Sequence, residues 1–195
     1  MWEIAQVAPP SVEPVTLAEA KKHCRIDTDA DDDLVTRLIV EAREWAEAFT
    51  ARAFVKQDRA MIRQNAPAGA FYVARPPLIA VTSIKYVDGT GALQTLAPGG
   101  YVASTSLAAA PMVAPAHGAA WPAVRAGLGA FQVYYEAGYG PAAADVPEGI
   151  RQGILERVAF NYQARGDAAV GQGAVAMVGS GPEGTLSRYR NPWIV

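Results

Sequence analysis

The chain has 195 residues and a formal net charge of −2, with 17 Lys and Arg against 19 Asp and Glu. That balance excludes a strongly basic nucleic-acid binder and a highly charged disordered chain. Half of the residues are apolar, 39 of them Ala, which still leaves enough larger side chains for one core or for two small subdomains sharing one. The lone Cys24 cannot form an internal disulfide, so nothing points to a secreted disulfide scaffold. Met1-Trp2-Glu3-Ile4 lacks the basic and apolar regions of a signal peptide. The most apolar stretch, residues 107–124, is broken by Pro111, Pro115 and Pro122 and is no membrane span. A soluble protein of a reducing cytoplasm is expected, with no membrane partner.

Helices come first. Thr16 followed by Glu19 is a capping box, which starts a helix that runs to about Cys24. Leu34, Leu38, Ile39, Ala42, Trp45, Ala46 and Phe49 recur at helical spacing, which predicts a second helix over about Asp31–Arg52. Residues 55–137 read as β. An Asp88-Gly89-Thr90-Gly91 turn joins the β-prone runs 83–87 and 92–96, because Gly tolerates positive φ. Phe131–Glu136 alternates as a half-buried strand does. Helix then returns at Val146-Pro147-Glu148, with a stripe of Ile150, Ile154, Leu155, Val158, Ala159 and Tyr162, and Gly166 as its expected end.

Residues 166–184 are rich in Gly, Ala and Ser and read as a flexible linker. The last eleven residues regain large apolar side chains. The fold class is therefore α+β: a helical core from N- and C-terminal helices, a β-rich insert and an extended C-terminal tail. The segments are 1–54 (helical), 55–137 (β insert), 138–166 (C-terminal core helix) and 167–195 (linker and docking tail).

Few residues point to chemistry. Asp27, Asp29 and Asp31 imitate the start of a calcium loop, but Asp32 stands where Gly is needed and Leu38 where Glu is needed. These acids suit a helix N-terminus instead. Gly179–Gly184 spells a dinucleotide loop, yet no strand precedes it and too little chain follows. Adjacent helical residues such as His23 and Cys24 diverge by about 100° and make a poor nucleophile–base pair. With His117 as the only other histidine, a zinc site lacks ligands. No cofactor, metal or catalytic residue is assigned.

Trp45 and Phe49, at i and i+4, read as core rather than as a ligand-stacking pair. Arg151, Arg157 and Arg165 read as solvated or paired cations, with a nucleic-acid-facing stripe as the alternative. The tail is less easily explained. Leu186, Tyr189, Arg190 and Trp193 combine apolar, aromatic and Arg side chains after a linker, a composition suited to docking on a partner. Folding back on its own domain is the alternative.

Three segments together resemble one family. Pro14-Val15-Thr16-Leu17-Ala18-Glu19-Ala20-Lys21 leads to Arg25-Ile26-Asp27 and Asp31-Asp32-Asp33-Leu34. Leu38-Ile39, Ala42-Arg43-Glu44, Glu47 and Thr50-Ala51-Arg52-Ala53-Phe54 follow. Last come Val133–Gly140, Asp145–Ile150 and Tyr162–Arg165. In this order and spacing they resemble the head–tail connector (adaptor) proteins of long-tailed bacteriophages and of gene transfer agents.

The resemblance implies a homo-oligomeric ring, usually of twelve copies, beneath the portal protein. It implies a neck or tail-terminator protein as the next partner, and DNA passing through the lumen without sequence readout. It places the protein in a virion or phage-like particle, with the C-terminal peptide reaching the portal; side-chain type, not the resemblance, singles out Leu186, Tyr189, Arg190 and Trp193 as its anchors. A small enzyme with polar groups near His23, Arg25 and Asp27, or a nucleic-acid-binding module, is the alternative.

Overall fold

The computed structural model describes residues 1–105, 110–164 and 181–192. The described residues divide into two compact units, one formed by residues 1–11, 52–105 and 110–141, the other by residues 12–51, 142–164 and 181–192.

The first unit is β. Its strands are β1 (Glu3–Ala8), β2 (Gln57–Arg63), β3 (Phe71–Tyr72), β4 (Leu78–Val87), β5 (Leu93–Thr95), β6 (Tyr101–Ser104), β7 (Met112–Pro115) and β8 (Phe131–Ala137). Five form one antiparallel sheet in the order β1-β2-β8-β4-β5, and β3-β7-β6 form a second. The alternation read from the sequence places β8 at the centre. Phe131, Val133, Tyr135 and Ala137 are buried, and the residues between them are half-buried. Register brings Met61, Val133 and Ile84 side by side on one face. Phe71 and Val113 of the second sheet join that core, together with Trp2 and Trp121. Trp121 Nε1 donates to the Gly69 carbonyl at 2.8 Å, which satisfies its one polar group.

The predicted hairpin is present, with Lys85 opposite Thr95 and Val87 opposite Leu93. One Asp88 carboxylate oxygen accepts from Thr90 N, Thr90 Oγ1 and Ala92 N, and the other from Gln94 Nε2. Gly138, at φ +136°, lies where a Cβ would fall 2.6 Å from the backbone of Val55 and Lys56. Its neighbours stitch that approach: Tyr139 N donates to Phe54 O at 2.8 Å and Lys56 N to Gly140 O at 2.8 Å. Only glycine fits there.

β1 corrects the reading of residues 1–54 as helical. Its six residues, four of them apolar, lack the alternation of a half-buried strand, and pairing with β2 (Ile4 opposite Met61) defines them as a strand.

The second unit is helical: α1 (Leu17–Cys24), α2 (Asp32–Thr50), α3 (Glu148–Gln163) and α4 (Gly181–Ser187). Thr16 and Glu19 form the predicted capping box. α1 and α2 each end on a residue in the left-handed region, Arg25 at φ 58° and Ala51 at φ 54°.

α2 holds a second difference. Its buried residues are Val35, Ile39, Ala42, Arg43, Ala46, Glu47 and Thr50. At about 100° per residue, this face is rotated by roughly 75° from the apolar stripe expected. Leu34, Leu38, Trp45 and Phe49 are consequently only half-buried. The cause is a charge network: Arg43, 4% exposed, donates through Nε to Glu13 Oε2 at 2.8 Å and lies 3.5 Å from Glu47. Once paired, these groups occupy positions that an apolarity count assigns to solvent.

α4 occupies part of the expected linker. It packs on α3, where a Cβ at Gly153 would come within 2.7 Å of Leu186 Cγ. The remaining linker residues, 166–180, lie outside the described residues, and with them the expected helix end at Gly166.

Candidate assembly surface

Leu186 is fully buried and serves to hold α4 on α3. Its burial follows from Gly153, whose missing side chain leaves the hollow that Leu186 fills. Thr185 Oγ1 donates to Glu156 Oε2 at 2.9 Å, and Asn191 N donates to the Thr50 carbonyl at 2.8 Å, so the segment also satisfies the end of α2. Tyr189 is half-buried, and its hydroxyl lies beside Gly149 at the start of α3. The exposed Arg190 places its guanidinium 5.2 Å over the Phe49 ring. Trp193 lies outside the described residues. The structure thus brings Leu186, Tyr189 and Arg190 together on the helical unit and leaves Tyr189 and Arg190 at its surface.

Trp45 and Phe49 stack on one another, with centroids 5.5 Å apart and planes 15° from parallel. Arg157 covers Trp45 at 4.6 Å and donates to Glu41 at 3.1 Å. Arg151 donates to Pro14 O at 3.0 Å, to Glu148 at 2.8 Å and to Glu19. Two of the three arginines considered as a nucleic-acid stripe therefore have partners, and Arg165 lies outside the described residues.

The hydrogen bonds from Thr16 backbone and side chain hold the Glu19 carboxyl below its ordinary range, with Arg151 adding to the effect. Asp29 and Asp32 both bond the Lys21 ammonium, at 2.6 and 2.7 Å, and push its pKa up. Tyr162 donates to Asp31 at 2.7 Å. The aspartates thus organise the junction of α1, α2 and α3. Among the described residues, no group of three His, Cys, Asp or Glu is placed to hold a metal ion. Burial raises the Cys24 thiol pKa, the reverse of what activates a nucleophile. His23, Arg25 and Asp27 are exposed around the end of α1.

Sequence reasoning missed Gly149, Gly153 and Asn191 as residues that seat the tail. The glycines did carry a signal. Two glycines one turn apart inside an otherwise helical pattern cost stability unless something approaches closely.

Among the described residues, no helix is long and apolar enough to cross a membrane. Residues 14–85 match the family described as phage gp6-like head-tail connector protein. No curated protein matches the chain in sequence. Chains of solved structures share its fold, among them three from gene transfer agent particles. A chain in the neck of an empty gene transfer agent particle, computed with C6 symmetry, is 21% identical with a TM-score of 0.82, covering 99% of this chain and 97% of that one. A chain in the virion of a native gene transfer agent particle is 23% identical with a TM-score of 0.81, covering 98% and 97%. A chain in the neck of a native particle computed with C12 symmetry is 22% identical with a TM-score of 0.76, covering 100% and 97%. This chain therefore carries the head–tail connector signature over residues 14–85 and, along its whole length, the fold of chains in gene-transfer-agent particles.

Proposed function

We propose that the protein is a structural head–tail adaptor, without a catalytic step, in the neck of a phage-like particle. Copies form a ring, of twelve in the C12 case, between the portal protein and the next neck or tail component. DNA passes through the lumen without sequence readout. The observation that carries this reading is the full-length likeness to neck chains, joined to the connector signature over residues 14–85. The charge supports it: a chain of net −2 offers few phosphate contacts and would not retain DNA through counterion release.

The C-terminal segment docks on the portal through Tyr189, Arg190 and Trp193. Leu186 seats that segment on α3 and is buried there. Removing the chain after Pro182 would delete most of α4, so point variants are the better test. The experiment measures binding of the full chain and of Tyr189→Ala/Trp193→Ala to the portal complex from the same genome. The double variant is expected to bind about tenfold more weakly with an unchanged helical spectrum, as loss of aromatic anchors does. Equal binding overturns the role of the tail. No binding by the unaltered chain overturns the adaptor reading.

A further inference from the structure

The seat on α3 fixes more of the C-terminal segment than Leu186. Glu156, Gly153 and Gly149 meet Thr185, Leu186 and the pair Arg188 and Tyr189 in turn, so the segment runs antiparallel to that helix. A Cβ at Gly149 would overlap the Arg188 guanidinium and fall 2.5 Å from the Tyr189 hydroxyl oxygen. Glycine is a poorer helix former than alanine, and here its missing methyl is what admits those two groups.

Two guanidinium groups are thereby set at the surface. Arg188 lies 4.9 Å over the Tyr189 ring, and Arg190 lies 5.2 Å over the Phe49 ring. Both arginines are exposed, and among the described residues neither makes an ion pair. The carboxylates that border the segment have other partners: Arg151 for Glu148, Thr185 for Glu156 and Arg43 for Glu47.

Stacking holds the flat of a guanidinium and leaves its N–H edge for an acceptor. A fork held still in this way matches a carboxylate, which it takes through two parallel hydrogen bonds. The helical unit carries ten Lys and Arg against fifteen Asp and Glu. A DNA duplex would bring its phosphates against that whole acidic unit, whereas a protein can place single carboxylates at the two arginines.

We infer that Arg188 and Arg190 are a pair of carboxylate receptors, pre-set by Tyr189, Phe49 and Gly149, and that the portal protein meets them with Asp or Glu side chains. This rests on the portal docking proposed above. It adds the chemistry of the partner, Arg188 as a contact and Gly149 as a positioning residue.

The test measures binding of the full chain to the portal complex from the same genome, with duplex DNA as the comparison ligand. Arg188→Ala/Arg190→Ala is expected to bind the portal at least about tenfold more weakly. Arg188→Lys/Arg190→Lys keeps the charge but loses the fork, and should stay about fivefold weaker than the unaltered chain. Gly149→Ala leaves every contact side chain in place and suits a helix better, so the helical spectrum should be kept while portal affinity falls about fivefold. That split separates positioning from a general loss of structure.

The inference is overturned if the alanine pair binds the portal as the unaltered chain does, an outcome that leaves the adaptor reading standing. Full binding by the lysine pair overturns forked recognition of a carboxylate. Full binding by Gly149→Ala overturns the positioning role. Variants that lose duplex DNA binding and keep portal binding overturn the inference in favour of a nucleic-acid contact. Absence of portal binding by the unaltered chain removes the adaptor reading itself.

Discussion

The two units are held together by different physics. The β unit closes over aromatic and aliphatic side chains: Phe131 and Phe71 meet edge to face at 6.5 Å, Trp121 meets Phe131 at 5.5 Å, and Trp2 meets Phe71 at 4.9 Å. Its one buried phenol, Tyr135, donates to the Ala74 carbonyl at 2.9 Å, and burial pushes that pKa up. The helical unit buries mostly smaller apolar groups (Val35, Ile39, Ala42, Ile150, Ile154, Val158 and Leu186) and joins them with arginine-centred pairs. The difference teaches where each unit is vulnerable. The first depends on filled volume and the second on charges that keep their partners.

The comparison breaks most sharply at Phe131, which is fully buried in the aromatic cluster. Phe131→Ala is expected to destabilise the β unit by about 4 kcal/mol, the usual cost of an aromatic cavity. Thermal unfolding followed by near-UV circular dichroism checks it, and a loss below about 1 kcal/mol would mean that the core collapses around the gap.

Next in size is Arg43→Ala, which removes the cation lying 2.8 Å from Glu13 and 3.5 Å from the buried Glu47. A loss of about 3 kcal/mol is expected, with more than half recovered in Arg43→Met/Glu47→Leu, because an apolar pair needs no charge compensation. Chemical denaturation of both variants tests this. Failure of the double variant to recover would show that the hydrogen bond from Arg43 to Glu13 carries the stability.

The smallest effect sharpens the same contrast at the surface. The bonds from Thr90 and Gln94 lower the Asp88 pKa from 3.8 to about 2. A group whose folded pKa is depressed adds stability above its unfolded value and loses it as pH falls through the folded one. The 88–92 turn is therefore expected to hold at pH 5 and loosen between about pH 4 and pH 2. Amide exchange of Thr90 and Ala92 over that range reads it out. Asp88→Asn, which has no charge to lose, should flatten the profile, and a dependence that persists in Asp88→Asn would assign it to another carboxylate.

Much of the fold was legible because local patterns and burial agree. Thr16 and Glu19 announce α1, the alternation of 131–136 announces the central strand, and Asp88-Gly89 announces the hairpin. Legibility failed where a partner distant in the chain supplies what a local pattern lacks. β1 has no strong alternation and exists through β2. The inward face of α2 was misjudged because Arg43 and Glu47 look solvent-bound until Glu13, thirty residues earlier, supplies a carboxylate. The tail read as linker and anchor, but Leu186 finds its place at Gly153, which no spacing near residue 186 could announce.

The sequence by itself determined the α+β class, the starts of α1, α2 and α3, the hairpin and the likeness to connector proteins. Each rests on short-range propensity or on residue order, and neither requires knowing what lies across the chain. The tertiary structure alone decided which face of α2 turns inward, that residues 3–8 are a strand, and that Leu186 is buried while Tyr189 and Arg190 stay at the surface. The physical reason is common to all three. Burial of a charge, an edge strand or an isolated leucine is favourable only once a remote group satisfies it.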